Sequence, residues 1–364
     1  MKKILYFVYS LCFGIFRLFP VRENRVSLIS PHNSNFNDSL KYVKAELEKR
    51  GNYEFNCVSS KQLGSFKGIV DFFIGNCLKT ATSKYIFLND NFMPFSRIKL
   101  SKKTTVVQLW HGQGAFKKFG LDSNLSESER MLAKKCSEKY DHIVTSSKNV
   151  SEIYASAFGV SESRIIPCGV PDSDGLFDEN NKGKFRREFS IPEGKKIVLY
   201  APTFRENEND DGDILDNFCV GRFVEELGEK YQLAVRLHPQ VHRSGREIEG
   251  AIDATDYEDV NSLIIDCDIL ITDYSSICME FAFLKKPAIF YAYDLDKYEK
   301  ARGFYYDYRS YVPGKVVETM DGVIKAINEN DFEEEKIEKF NKMNFDYYDG
   351  RSSERLIDRL QNKL

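Results

Sequence analysis

The stretch LIIDCDILITDYSSICMEFAFLKKPAIFYAY, Leu263 to Tyr293, decides the fold. LIIDCDILITD is apolar and reads as a strand ending at Asp273. SSICMEFAFLKK follows with helical character, and PAIFYAY is a second strand. A helix between two strands brings the chain back to the same end of the sheet, so the strands pair in parallel. Both strands are apolar at successive rather than alternate positions, the pattern of a sheet covered on both faces.

The same alternation extends outward. KIVLYAPTF and LAVRLHP read as strands upstream, with a loop of acidic and polar residues from Glu206 to Asp216 and a helix between them; the chain from Glu318 to Leu364 reads as helical and charged. An earlier set comprises the strands RVSLIS, YEFNCVSS, KYIFLN, TTVVQLWHG and DHIVTSS. Between them lie helices over NDSLKYVKAELEKRG, Ser65–Cys77 and SESERMLAKKCSEKY. The two sets flank a Gly-, Pro-, Asp- and Lys-rich stretch, Pro167 to Lys196. At 364 residues the chain exceeds one ordinary core. The expected organisation is a segment 1–22, a Rossmann-like domain 23–180 and a second Rossmann-like domain 181–364. In such open sheets ligands bind beyond the carboxyl ends of the strands, and a cleft between the halves is the expected site.

The formal net charge of -3 gives no global field for nucleic acid. Eight cysteines without a C-x-x-C pair support neither a zinc ribbon nor a redox motif, and read as small buried hydrophobes in a reducing compartment. The start, MKKILYFVYSLCFGIFRLFP, runs apolar from Ile4 to Phe19 and is interrupted by Arg17. That is short of the ~20 residues of a spanning helix, and no small-residue cleavage site follows it. It reads as a basic-flanked amphipathic helix lying on a membrane surface, or as a buried first helix; short apolar runs do not separate the two.

Four segments at strand ends carry the candidate chemistry. WHGQGAFKKFG, Trp110 to Gly120, holds His111 with Lys117 and Lys118. LYAPTFR places Thr203 and Arg205 after a strand, and RLHP sets Arg236 and His238 two residues apart, on one side of a strand. In ITDYSSICMEF, Asp273 ends a strand and Ser275–Ser276 open a helix, whose free N–H groups suit an anion. Ordinary capping explains the serines equally well. His32, His142 and His242 are weaker candidates, in a polar turn, at a strand start and after a proline turn. Imidazole suits proton removal from a hydroxyl, and Arg and Lys suit a diphosphate whose leaving half gains charge. There is no P-loop, no G-x-G-x-x-G and no H-E-x-x-H. These residue types fit group transfer from an activated nucleotide.

In order and spacing, WHG…KKFG, LYAPTFR, RLHP and the run from Asp259 to Tyr308 resemble the CDP-glycerol glycerophosphotransferases of teichoic acid synthesis. The resemblance implies a GT-B type fold of two facing Rossmann-like domains, the first turned to the membrane and acceptor, the second binding the CDP donor. It implies a peripheral enzyme on the cytoplasmic face of the cell membrane, with CDP-glycerol and an undecaprenyl-diphosphate-linked acceptor as partners. His111 would be the general base, and His238 with Arg236 would stabilise the diphosphate. Ser275 and Ser276 would donate to a phosphate, Asp273 and Glu280 would hold the site, and Thr203 and Arg205 would touch the nucleotide. No cofactor or metal is required, although Mg²⁺ on the donor diphosphate is compatible with the motifs. Polymerising members commonly carry Thr-Pro after WHG, where this chain has Gln113-Gly114-Ala115. That departure points to a primase adding the first unit. A polymerase using CDP-glycerol or CDP-ribitol, a nucleotide-sugar glycosyltransferase of the same fold and a catalytically silent scaffold are the alternatives.

Overall fold

The apolar run from Leu263 does not form one strand. Its first part ends a helix, Val260–Asp266, because Asp259 caps that helix by accepting from the Ser262 N–H at 3.1 Å. The strand itself is Ile269–Thr272, fully buried, and it pairs in parallel with Ala288–Tyr291 and with Lys196–Tyr200. The computed structural model describes residues 2–31, 36–59, 65–205, 214–215, 217–238 and 248–361. His32, His242 and most of the acidic loop expected from Glu206 lie outside the described residues.

The chain divides into two units, Gly175–Phe345 and Met1–Asp174 together with Asp346–Leu364. The first unit's strands are β1 (Arg22–Ser30), β2 (Glu54–Ser59), β3 (Ser83–Leu88), β4 (Thr105–Gln108), β5 (His142–Thr145) and β6 (Ile165–Pro167). They form one parallel sheet in the order β2-β1-β3-β4-β5-β6. The helix Ser39–Arg50 is capped as its sequence predicts, with Asp38 accepting from Leu40 N–H and Gly51 at its end. Its Leu40, Val43 and Leu47 pack with Val26 and Leu28 of β1.

The second unit contains β7 (Lys196–Tyr200), β8 (Tyr231–Val235), β9 (Ile252–Asp253), β10 (Ile269–Thr272), β11 (Ala288–Tyr291) and β12 (Lys315–Val317). These are parallel too, in the order β12-β11-β10-β7-β8-β9. Each unit's strand order reverses beside its first strand, so both have the topological switch of a doubly wound sheet.

The expected second domain ran to residue 364, but the last helix, Ser352–Leu360, belongs to the first unit. Its Leu356 and Ile357 are buried in the core with Val26, Leu28 and Leu40. Asp174 accepts from the N–H groups of Ser352 and Ser353 at its N-terminus. A charged helix with two adjacent core residues finds its place by packing, and nothing in its local sequence names the partner sheet.

The first helix, Lys2–Phe16, carries two apolar stripes. Tyr9 and Phe13 are buried, with Tyr9 against Phe72 and Phe92. Ile4, Phe7, Leu11 and Ile15 are exposed on another face, followed by Leu18 at 81% exposure. Among the described residues no helix is long and apolar enough to cross a membrane.

Candidate active site

The carboxyl ends of β3 and β4 build the first cluster. Past β4 the chain turns through Trp110, whose φ of +60° is left-handed. A bulky residue there costs about 1–3 kcal/mol and persists only where its surroundings over-determine it. They do so here. Trp110 packs against Phe119 and Phe158 with ring centroids 5.3 and 5.1 Å away. The Gly114 N–H donates to Ser146 Oγ at 2.9 Å, and the Tyr154 hydroxyl lies 3.0 Å from the carbonyls of both Gly112 and Gly114. Burial pushes the Tyr154 phenol up, so it stays protonated and donates. Gly120, at φ +54°, ends the motif where a Cβ would meet the Ala157 carbonyl oxygen at 2.2 Å.

This packed turn presents His111. Its side chain is 55% exposed, its ring lies 4.1 Å from that of Trp110, and Nδ1 is 3.6 Å from Asp90 Oδ2. The other Asp90 oxygen accepts from the Asn91 N–H at 2.5 Å. Asp90 was absent from the residues chosen by sequence. The available signal was its position directly past KYIFLN, at the end of the strand that pairs with β4. Gln113 and Ala115 are buried and Lys118 is exposed, so the QGA segment is the floor of the turn.

The second cluster lies past β7 and β10. Asp273 Oδ1 accepts from the N–H groups of Thr203 at 2.8 Å and Tyr274 at 2.5 Å. Its other oxygen is 2.9 Å from Arg205 Nη2. Arg205 also holds Asp294 through Nε at 2.8 Å and Nη2 at 3.0 Å, and donates to the Thr203 carbonyl at 2.6 Å. The rings of Tyr274, Tyr293 and Tyr298 lie 5.2–5.7 Å from its guanidinium carbon. Burial opposes the charge of Arg205, yet Asp273 and Asp294 outweigh it and hold its pKa above the ordinary value. Arg205, a predicted nucleotide contact, therefore spends its donors inside the protein. Asp294 and Tyr274, whose hydroxyl donates to Asp294 at 2.9 Å, complete the network; neither stood out in sequence. Thr203 Oγ1 is buried with no hydrogen-bond partner among the described residues.

Arg236 and His238 lie beyond the end of β8 at Val235, so strand alternation does not govern them. Arg236 donates to the carbonyls of Ala254 and Tyr257, both at 2.8 Å, whereas His238 stacks on Phe204 with ring centroids 4.6 Å apart. Burial lowers the Arg236 pKa, with Asp256 acting in the other direction. His238 is exposed. The helix after β10 starts at Cys278 rather than at the serines. Ser275 is half-buried and Ser276 exposed, in the turn preceding it, and Glu280 is half-buried in its first turn. Among the described residues no group of three or more His, Cys, Asp or Glu is arranged to hold a metal ion.

The family model for CDP-glycerol:poly(glycerophosphate) glycerophosphotransferases matches residues 11–362. The chain belongs to that family. It is 32% identical over 372 aligned residues to a teichoic acid poly(ribitol-phosphate) polymerase of Bacillus spizizenii, covering 99% of this chain and 60% of the relative. It is 33% identical to a teichoic acid glycerol-phosphate primase of Bacillus subtilis, covering 78% of this chain and 74% of the relative. The chain thus spans 60% and 65% of the length of two ribitol-phosphate polymerases, and more of the primase. Among solved structures, the wall teichoic acid polymerase TagF matches all of this chain and 95% of its own, with TM-score 0.79 and 24% identity. A UDP-GlcNAc 2-epimerase from Neisseria meningitidis shares the fold more distantly, with TM-score 0.58 and 14% identity over 93% of this chain and 100% of its own.

Proposed function

We propose that this family member transfers glycerol phosphate from CDP-glycerol to a hydroxyl of an undecaprenyl-diphosphate-linked disaccharide. The observation that carries the reading is His111, exposed at a strand end with Nδ1 toward Asp90. That arrangement favours a proton on Nδ1 and leaves Nε2 to receive the proton of the acceptor hydroxyl. The acceptor oxygen bonds to the glycerol-bearing phosphorus, the bond from that phosphorus to CMP breaks, and CMP leaves. His238 and Arg236 serve the diphosphate in this reading, with Ser275, Ser276 and Thr203 at the phosphates and nucleotide and Glu280 supporting them. Lys117 and Lys118 form a cationic rim for an anionic acceptor. Such transfer relies on positioning and charge stabilisation more than on covalent catalysis.

The test offers the purified protein CDP-glycerol and CDP-ribitol with a lipid-linked disaccharide analogue and reads product mass. One added glycerol phosphate supports a primase. The similarity to ribitol-phosphate polymerases favours a second reading, polymerisation from CDP-ribitol, which a ladder of ribitol phosphate units would establish. A product gaining mass without phosphorus would sink both.

The outward stripe of the first helix, Ile4, Phe7, Leu11 and Ile15, supports peripheral binding to the cytoplasmic face of the cell membrane. Leu11→Glu is expected to reduce sedimentation with anionic vesicles without changing the melting temperature. Unchanged sedimentation would remove the membrane role.

A further inference from the structure

We propose that Gln108 is a positioning residue for the transfer reaction, setting the two partners of the His111–Asp90 pair against one another through its carboxamide. The inference rests on the reading of His111 as the base. Gln108 ends β4, two residues before the left-handed Trp110, and is wholly buried. Its Nε2 donates to the Asp90 carbonyl at 3.1 Å, and its Oε1 accepts from the Trp110 N–H at 2.9 Å. One end of the amide therefore holds the backbone that carries the carboxylate. The other holds the turn that carries the imidazole.

The geometry gives this brace something to do. His111 Nδ1 and Asp90 Oδ2 are 3.6 Å apart, beyond a good hydrogen bond, so modest movement of either backbone makes or loses the pair. Asp90 and His111 sit on loops past two different strands, and β3 and β4 pair only up to Leu88 and Gln108. The last sheet bonds, from Leu109 N–H to the Leu88 carbonyl at 2.7 Å and from Asn89 N–H to the Ile29 carbonyl at 3.4 Å, stop one residue short of Trp110 and of Asp90. A buried amide is costly unless satisfied, and this one spends a donor and an acceptor on the two loops. Tyr154 and Ser146 shape the far side of the turn, at Gly112 and Gly114, but neither of those bonds reaches Asp90.

The test compares CMP release by the full chain carrying Gln108→Met or Gln108→Leu, each of which keeps apolar volume but breaks both bonds. Each is also made on a His111→Ala background, and thermal melts show which variants are folded. The expected result is a fall in kcat of about 10²-fold, with KM for the CDP donor changed less than about twofold and no further loss on the His111→Ala background. Unchanged kcat in either folded variant overturns the positioning role. So does an equal loss with and without His111, because a merely structural defect would tax both backgrounds alike. If His111→Ala itself releases CMP at the wild-type rate, the base assignment fails and this inference goes with it.

Discussion

Each unit ends its central strands in a cluster of acidic and basic side chains, yet the clusters are built on opposite terms. In the first, a single carboxylate faces a single imidazole, and that imidazole is more than half exposed. In the second, Arg205 and Asp273 are buried, Asp294 is mostly so, and their donors and acceptors are largely consumed by one another and by the backbone. Residue type at a strand end does not separate these cases. Exposure and remaining hydrogen-bonding capacity do: a side chain with a ring nitrogen or oxygen still open to solvent can meet a substrate, whereas a saturated one holds loops in place.

The largest expected effect is on the open cluster. His111→Ala should lower CMP release by about 10³-fold, within the range of general-base contributions, and leave the thermal midpoint near that of the parent. A variant that melts early and remains active would reverse the contrast. Next comes the closed cluster. Arg205→Met strands Asp273 and Asp294 without their cation and should cost about 3–5 kcal/mol of stability, seen as a lowered melting temperature. If instead that variant keeps its stability and loses only catalysis, Arg205 touches the substrate and the comparison fails.

The smallest effect sharpens the point with a second histidine. His142 is half-buried; burial lowers its pKa from 6.5, with Arg359 and Arg164 adding to the shift and Asp141 opposing it. The unfolded chain then binds the proton more readily than the folded one, so its contribution to stability is complete above pH 6.5. That contribution is lost as the pH falls from there through the folded value. His142→Gln should remove this part of the acid sensitivity, and a melting profile identical to the parent's between neutral pH and pH 5 would exclude it.

Much of the fold is legible because parallel strands are continuous apolar runs and their helices carry local caps. Asp38 and Gly51 bracket a helix as their types predict, and Ser126 with Glu129 closes a capping box. The candidate histidines are legible too, as strand-end residues beside glycine or proline. Asp90, Asp294 and Gln108 were not, since an Asp or Gln ending an apolar run looks the same whether it meets solvent, a carbonyl or an imidazole. The boundary inside LIIDCDILITD failed for a related reason: short apolar runs are ambiguous until a cap such as Asp259 selects helix.

Sequence alone therefore determined the two parallel α/β units, the four motifs and the family they resemble, because these depend on local periodicity and on residue order. Tertiary structure alone decided which unit receives the last helix, that Arg205 is enclosed while His111 stands open, and that the QGA of WHGQGAFKKFG forms the floor of a strained turn. Those outcomes depend on contacts between residues distant along the chain, where burial and the supply of hydrogen-bond partners assign the same side chain to scaffold or to chemistry.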